Sequence, residues 1–222
     1  MKISIIIPTY NQIDTLCDSI ESALNQTVKC EIIVIDDGST DGSGKIADGY
    51  KGRGVKVIHQ VNKGLPSARN TGIMNTTGDY ILPLDSDDIF KENLVEEILK
   101  KIEETGADII APSFKCFGVT NQEVILGEFT IEDLKTANRI AYFCAIKKDV
   151  LLEVGGYNPK MVWGYEDYDL WFDLLKRNKI LAIIKEPLVM YRTKKQSMWT
   201  ESIKHHDELM NIIKNNHKEL FI

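Results

Sequence analysis

The chain has 222 residues, with 27 Lys+Arg against 33 Asp+Glu for a formal charge of −6, and this length suits one large domain or two small ones. Hydrophobic residues at 43% and charged residues at 27% are globular values and exclude a disordered or low-complexity chain. The acidic balance excludes a general nucleic-acid binder, because phosphate backbones are held by basic surface.

At the N-terminus, Met1–Ile7 meets Pro8 before a secretory apolar region can develop. The short β-branched runs Ile3–Ile7, Glu31–Ile35, Val55–Ile58 and Tyr80–Leu84 read as buried strands. Between them lie helical stretches near Ile13–Asn25, Gly42–Tyr50 and Pro66–Asn75, and a further helix carries Leu94, Ile98 and Ile102 on one face. Asp108–Ala111 reads as a strand, and Ser113–Phe129 shows no period. The longest apolar run, Ile140–Ile146, is far too short to span a membrane. Glu166–Lys176 reads as a helix, Ile180–Ile184 and Leu188–Tyr191 as strands, and the tail from Thr200 as helical with Ile203, Leu209, Ile212, Ile213 and Leu220 forming its apolar side. That side is expected to pack on the domain itself, a second subunit or a membrane surface being the other readings. Cys17, Cys30, Cys116 and Cys144 lack zinc or redox spacing and read as reduced thiols of a cytoplasmic protein.

Strand–helix alternation predicts an α/β fold, a single domain with a mainly parallel central sheet flanked by helices and a C-terminal helical tail. No Pro/Gly/Ser linker divides it, so residues 1–222 are expected to form a nucleotide-binding half (about 1–110), an acceptor-binding half (about 111–199) and the tail (about 200–222). Gly42-Ser43-Gly44-Lys45-Ile46-Ala47 imitates phosphate-loop spacings, but it stands five residues beyond its strand, Asp37–Asp41 intervening, and lacks the ribose-binding acid and the magnesium-binding hydroxyl. It reads as a helix start after a turn.

Sheets of this kind take ligands at the carboxyl ends of their strands, and there the unusual residues collect. Asp85-Ser86-Asp87-Asp88 follows the fourth strand. In extended backbone Asp85 and Asp87 face one way, as oxygen ligands of Mg²⁺ or Mn²⁺ carrying a diphosphate would. The bland alternative is an acidic turn, with Asp88 capping a helix that begins near Phe90. Asp36-Asp37-Gly38-Ser39-Thr40-Asp41 ends the second strand, Asn62–Gly72 brings Lys63 and Arg69 after the third, and Pro8-Thr9-Tyr10-Asn11 ends the first. An aromatic, carboxylates, cations and a candidate metal site thus share one edge.

These motifs, with Gly155-Gly156-Tyr157, Gly164-Tyr165-Glu166-Asp167-Tyr168-Asp169-Leu170-Trp171 and Tyr191-Arg192, resemble those of family 2 glycosyltransferases from Ile3 to about Trp199. The resemblance implies a GT-A-type fold and an inverting enzyme that takes a nucleotide-sugar donor. Pro8, Thr9 and Tyr10 would then lie near the base, usually uracil, with Thr9 giving a backbone contact. Asp36 would bind the imide nitrogen with Asp37 beside it. Lys63, Arg69 and Ser86 would belong to the donor site. Asp85 would meet the ribose or the metal, and Asp87 would be the main ligand of Mn²⁺ or Mg²⁺. Asp167 would be the catalytic base, with Glu166, Trp163, Arg192 and Lys194 toward acceptor or diphosphate. Aromatic neighbours could desolvate Asp167, whereas a helix N-terminus would lower its pKa and hold it merely as a helix-favouring acid. In the family a histidine often stands two residues after the Tyr-Arg pair. Here it is Lys194, a cation suited to a phosphate and unsuited to a metal, which puts the metal's coordination in question.

The expected function is transfer of a sugar, from UDP-sugar, to a saccharide or lipid-linked hydroxyl in polysaccharide biosynthesis. The enzyme would be cytoplasmic or peripheral at the inner face of the membrane, with a homodimer as one arrangement and no nucleic-acid partner. A nucleotidyltransferase leaves Asn62–Gly72 and Glu166-Asp167 unexplained. A non-catalytic nucleotide- or sugar-binding module leaves unexplained the full set Asp85, Asp87 and Asp167.

Overall fold

A computed structural model describes residues 1–221. The β-branched runs form β1 (Ile3–Thr9), β2 (Glu31–Asp36), β3 (Val55–His59) and β4 (Tyr80–Pro83). Helices α1 (Leu16–Leu24), α2 (Ser43–Gly49) and α3 (Leu65–Asn75) connect them, and all four strands are parallel in the order β3-β2-β1-β4. Side-chain alternation sorts this sheet cleanly between two cores. Ile3, Ile5 and Ile7 of β1, with Ile32 and Val34 of β2, bury against Leu16 and Ile20 of α1. Ile6, Ile33 and Ile35 face the other way, against Ala68 and Ile73 of α3. Gly72 lets α3 sit this close, since a Cβ there would lie 2.9 Å from Ile35 Cδ1 and 3.0 Å from Ile6 Cγ2.

Beyond β4 the sheet becomes mixed. It runs on through β5 (Ile89–Phe90), β6 (Ile109–Gly118), β7 (Glu123–Val124), β8 (Ala145–Lys147) and β9 (Leu181–Thr193), in the order β4-β8-β6-β9-β5 with β7 on β6. Ile180–Ile184 and Leu188–Tyr191, expected as separate strands, are one long strand β9, whose register against β6 shifts around Ser113. The stretch after Ser113, expected to be irregular, continues β6 to Gly118. The helix expected near Phe90 begins only at Leu94 as α4 (Leu94–Thr105), and Ile89–Phe90 pairs with β9 instead. Asp88 therefore caps nothing.

The remaining helices are α5 (Ile131–Leu134), α6 (Lys148–Glu153), α7 (Glu166–Leu175), α8 (Met198–Lys204) and α9 (His206–Asn216). Leu209 and Ile213 of the tail are buried in the core that also holds α7, with Ile212 and Leu220 packed against it. Ile203 is 49% exposed and does not belong to that stripe. The tail is also pinned by charge. Buried Asp169 of α7 pairs with His217 Nε2 at 2.9 Å and accepts Asn216 Nδ2 at 3.1 Å, and these bonds hold its carboxyl below the usual range against the opposing effect of burial. No helix among the described residues is long and apolar enough to cross a membrane.

Candidate active site

The carboxyl ends of β1, β2 and β4 open onto a cavity of about 410 Å³ walled by Pro8, Thr9, Tyr10, Asp37, Ser86 and Asp87, among others. Tyr10 is 47% exposed and offers an open aromatic face. The Thr9 carbonyl accepts the Asp37 N–H at 2.9 Å, so its backbone is already engaged. Its Oγ1 is buried without a hydrogen-bond partner.

Of the two acids ending β2, it is Asp37 that reaches this cavity. The alternation that turns Ile32 and Val34 toward α1 also turns Asp36 that way. Both its oxygens are occupied there, Oδ1 by the Ser39 N–H at 3.0 Å and Oδ2 by His59 Nδ1 at 2.8 Å. Asp36 lines a separate cleft with Gly44, Asp48 and His59. Asp37 falls on the α3 side, where it accepts the backbone N–H groups of Lys63 and Gly64, both at 2.9 Å, and Gln60 Nε2 at 2.7 Å. Gly38 makes the tight turn beside it, with φ +78° and an Asn62 nitrogen 2.9 Å from where a Cβ would stand. Asp37, and not Asp36, therefore faces the first cavity. Lys63 contributes its backbone here and is not part of the cavity wall.

A second cavity, of about 860 Å³, lies between α5, α7 and the tail helices and shares Leu65, Asp85 and Met198 with the first. Arg69 stands at the junction. It is fully buried, its Nη2 donates to Asp85 Oδ1 at 2.7 Å and its Nη1 to Glu166 Oε1, and its guanidinium lies 4.7 Å from the Tyr142 ring centre and 5.2 Å from that of Tyr157. Arg69 is thus a buried hub tying α3, the Asp85 turn and α7 together, stabilised by two carboxylates and two aromatic faces.

Asp85 and Asp87 belong to a turn, not extended backbone, since the Asp88 N–H donates to the Asp85 carbonyl at 3.1 Å. Both still reach the first cavity. Burial, opposed by Arg69, pushes the Asp85 carboxyl up to about 6. Asp87 Oδ2 pairs with Lys194 Nζ at 2.7 Å. Behind the turn sits Asp88, at 1% exposure, accepting Tyr142 OH and the Arg192 N–H, both at 2.6 Å. Tyr142 OH in turn accepts the Asp85 N–H at 2.9 Å, and Arg192 Nε donates to the Asp87 carbonyl at 2.7 Å. Asp88, Tyr142 and Arg192 brace the turn from outside the first cavity. Burial and neighbouring Asp87 hold the Asp88 carboxyl well above its ordinary range.

Glu166 and Asp167 open α7 after Tyr165, whose φ of +63° is unusual for a bulky side chain. Consecutive helix residues point about 100° apart. Glu166 turns inward to Arg69, while Asp167 turns to the second cavity, where Asn138 Nδ2 donates to it at 3.3 Å. Burial, then the Glu166 charge, pushes the Asp167 carboxyl up to about 7 against the pull of Arg69 and of the N–H groups. Desolvation here outweighs the helix terminus. Trp163 lines neither cavity and stacks on His205 with ring centres 4.4 Å apart. His206 lines the second cavity and meets Tyr165 OH at 3.0 Å. Trp199 and Asn138 line it too, and nothing in their sequence context singled them out.

Residues 4–155 match the sequence profile described as glycosyl transferase family 2. The glycosyltransferase GlyG of Streptococcus pneumoniae is 31% identical over 220 residues, spanning 88% of this chain and 72% of GlyG. GlyA of the same organism is 40% identical over 119 residues, which are 52% of this chain but 17% of GlyA. The crystal structure of S. aureus TarS 1-349 in complex with UDP-GlcNAc superposes with a TM-score of 0.82 at 19% identity, over 97% of this chain and 66% of that one. The fold is therefore of the GT-A type. The profile covers the ends of β1, β2 and β4 at the first cavity, and the similarity to GlyG runs on through α7. By profile and by kinship, the chain belongs to glycosyl transferase family 2.

Proposed function

We propose that this glycosyltransferase moves a sugar with inversion from a UDP-sugar, a hexose or N-acetylhexosamine donor, to a hydroxyl of a saccharide or lipid-linked acceptor in polysaccharide assembly, on the cytoplasmic side of the membrane. One observation carries the reading: two cavities meet at Asp85 and Arg69, one edged by Asp37 and Asp87, the other holding Asp167 with its raised carboxyl pKa. The TarS complex with UDP-GlcNAc supports uracil as the donor base.

In this reading Tyr10, Thr9 and Asp37 hold the base, and the diphosphate lies along Asp85, Ser86 and Asp87. The acceptor enters the second cavity, where Asp167 takes its hydroxyl proton as the oxygen attacks the sugar carbon opposite the departing diphosphate. Glu166 holds Arg69, so it is not free to act as the base. Both cavities position the reactants, which supplies much of the rate.

The donor set fits a divalent cation. Asp85 and Asp87 each commit one oxygen to Arg69 or Lys194, and the other oxygen of each has no protein partner among the described residues. Mg²⁺ commonly takes one or two carboxylates and completes its shell with water and phosphate. Asp87, with Asp85, would hold Mn²⁺ or Mg²⁺, and the cation would supply charge neutralisation for the leaving diphosphate.

A thermal-shift panel of nucleotide sugars with and without Mn²⁺ tests the donor, and donor hydrolysis by the purified protein tests turnover. UDP-sugars are expected to stabilise the chain most. Asp87→Ala should remove the Mn²⁺-dependent part of UDP binding from a folded protein, and unchanged metal dependence would take Asp87 out of the site.

A further inference from the structure

Lys194 is, among the described residues, the one Lys or Arg on the wall of the donor cavity. Arg69 is sealed between Asp85 and Glu166, and Arg192 is spent behind the turn on the Asp87 carbonyl and the ring of Phe117, 4.4 Å away. Lys194 follows the end of β9, is partly exposed, and places Nζ 2.7 Å from Asp87 Oδ2 and 3.2 Å from Gln12 Oε1. Its partner Asp87 is thus the same carboxylate that suits a divalent cation. The other acids of the wall are also neutralised, Asp37 by N–H groups and Asp85 by Arg69. A cation arriving alone finds no unpaired carboxylate.

We propose that Lys194 is an exchangeable counter-ion of Asp87. Without donor it neutralises Asp87. When a nucleoside diphosphate enters, the flexible stem turns the ammonium to the diphosphate oxygens, so the site holds the nucleotide without a divalent cation. Lys194 and the metal are then alternative partners of Asp87, each worth most when the other is absent. A lysine suits this exchange, being a compact charge on four rotatable carbons. The inference rests on the donor reading above, and its test separates the two.

Calorimetry would titrate UDP into the wild type, Lys194→Ala and Lys194→Arg, each in EDTA and in excess Mn²⁺, and then Mn²⁺ alone into the wild type and Lys194→Ala. Circular dichroism checks that each variant is folded. The wild type should bind UDP in EDTA. Lys194→Ala should lose roughly 10- to 100-fold of that affinity, as expected for one charged hydrogen-bond partner. With Mn²⁺ it should lose clearly less. Lys194→Arg should keep most of the EDTA affinity, and Lys194→Ala should bind Mn²⁺ alone more tightly than the wild type. Equal UDP affinity of wild type and Lys194→Ala in EDTA would overturn the exchange, as would unchanged Mn²⁺ affinity. If the wild type binds UDP only with Mn²⁺, the donor reading stands and the role of Lys194 falls. If UDP binds under neither condition, both fall.

Discussion

Asp167→Asn separates catalysis from stability, because the two should move in opposite directions. The substitution keeps the side chain's size and its acceptor for the Tyr168 N–H, now 2.7 Å from Oδ1, but removes the basic carboxylate. If Asp167 is the general base, transfer should fall by roughly 10²–10⁴-fold. The loss should appear in turnover and not in donor affinity, since the proposed donor site is the other cavity. The wild-type rate should climb with pH and level off above about 7, where the Asp167 carboxyl ionises, and the variant should lose this limb. Stability follows the opposite sign. A carboxyl whose folded pKa lies above its unfolded one keeps its proton longer in the native state, so its ionisation weakens the fold as pH rises from about 4 to about 7. Moving a carboxyl from near 4 to about 7 is worth at most about 4 kcal/mol, and contact with cavity water reduces this to about 2 kcal/mol. At pH 8 the variant should therefore melt higher than the wild type by about 4–8 °C, with little difference at pH 4. Initial rates of transfer across pH 5–9 and thermal unfolding at pH 4 and 8 measure both. Near wild-type turnover in Asp167→Asn with a dead Glu166→Gln would move the base to Glu166. Activity in both variants would leave these acids as helix-terminal residues only.

Two further outcomes test the scaffold. Asp88→Asn offers one acceptor where Tyr142 OH and the Arg192 N–H both donate. It should cost about 1–3 kcal/mol in chemical denaturation and weaken UDP more than uridine, equal losses for both ligands refuting its hold on the Asp85–Asp87 turn. Leu209→Ala, at a position 1% exposed, should cost about 2–5 kcal/mol in urea unfolding, whereas exposed Ile203→Ala should stay within about 0.5 kcal/mol. The reverse order would mean that the tail packs through its other face.

Much of the first half was legible because parallel strands are apolar throughout and end in polar turns. What it concealed was register. Asp36 and Asp37 are adjacent and chemically identical, and only the side on which Val34 buries decides which of them meets the donor cavity. Local pattern also misjudged Ile89–Phe90 and Lys185–Glu186. The first is a two-residue strand created by its partner β9, and the second lies at a shift in register inside a strand. Asp88 looked like a cap because its partners, Tyr142 and Arg192, are 54 and 104 residues away in the chain. Tyr142 was hidden in an apolar run where nothing marked its hydroxyl as a link between Asp85 and Asp88.

The choice between Glu166 and Asp167 shows where sequence stops and packing decides. Both acids stand in the first turn of α7, where the helix terminus favours a carboxylate. Their directions differ by one helical step, and that step brings only Glu166 onto the buried guanidinium of Arg69. A buried cation requires a partner, so Glu166 stays bound to it. Its charge, next to Asp167, then adds to burial in resisting a second ionisation nearby. Arg69, shared with Asp85, opposes this without outweighing it. The arginine that holds the two cavities together therefore assigns the acids as well: one is a counter-ion, and the other keeps a carboxyl able to exchange a proton near neutral pH.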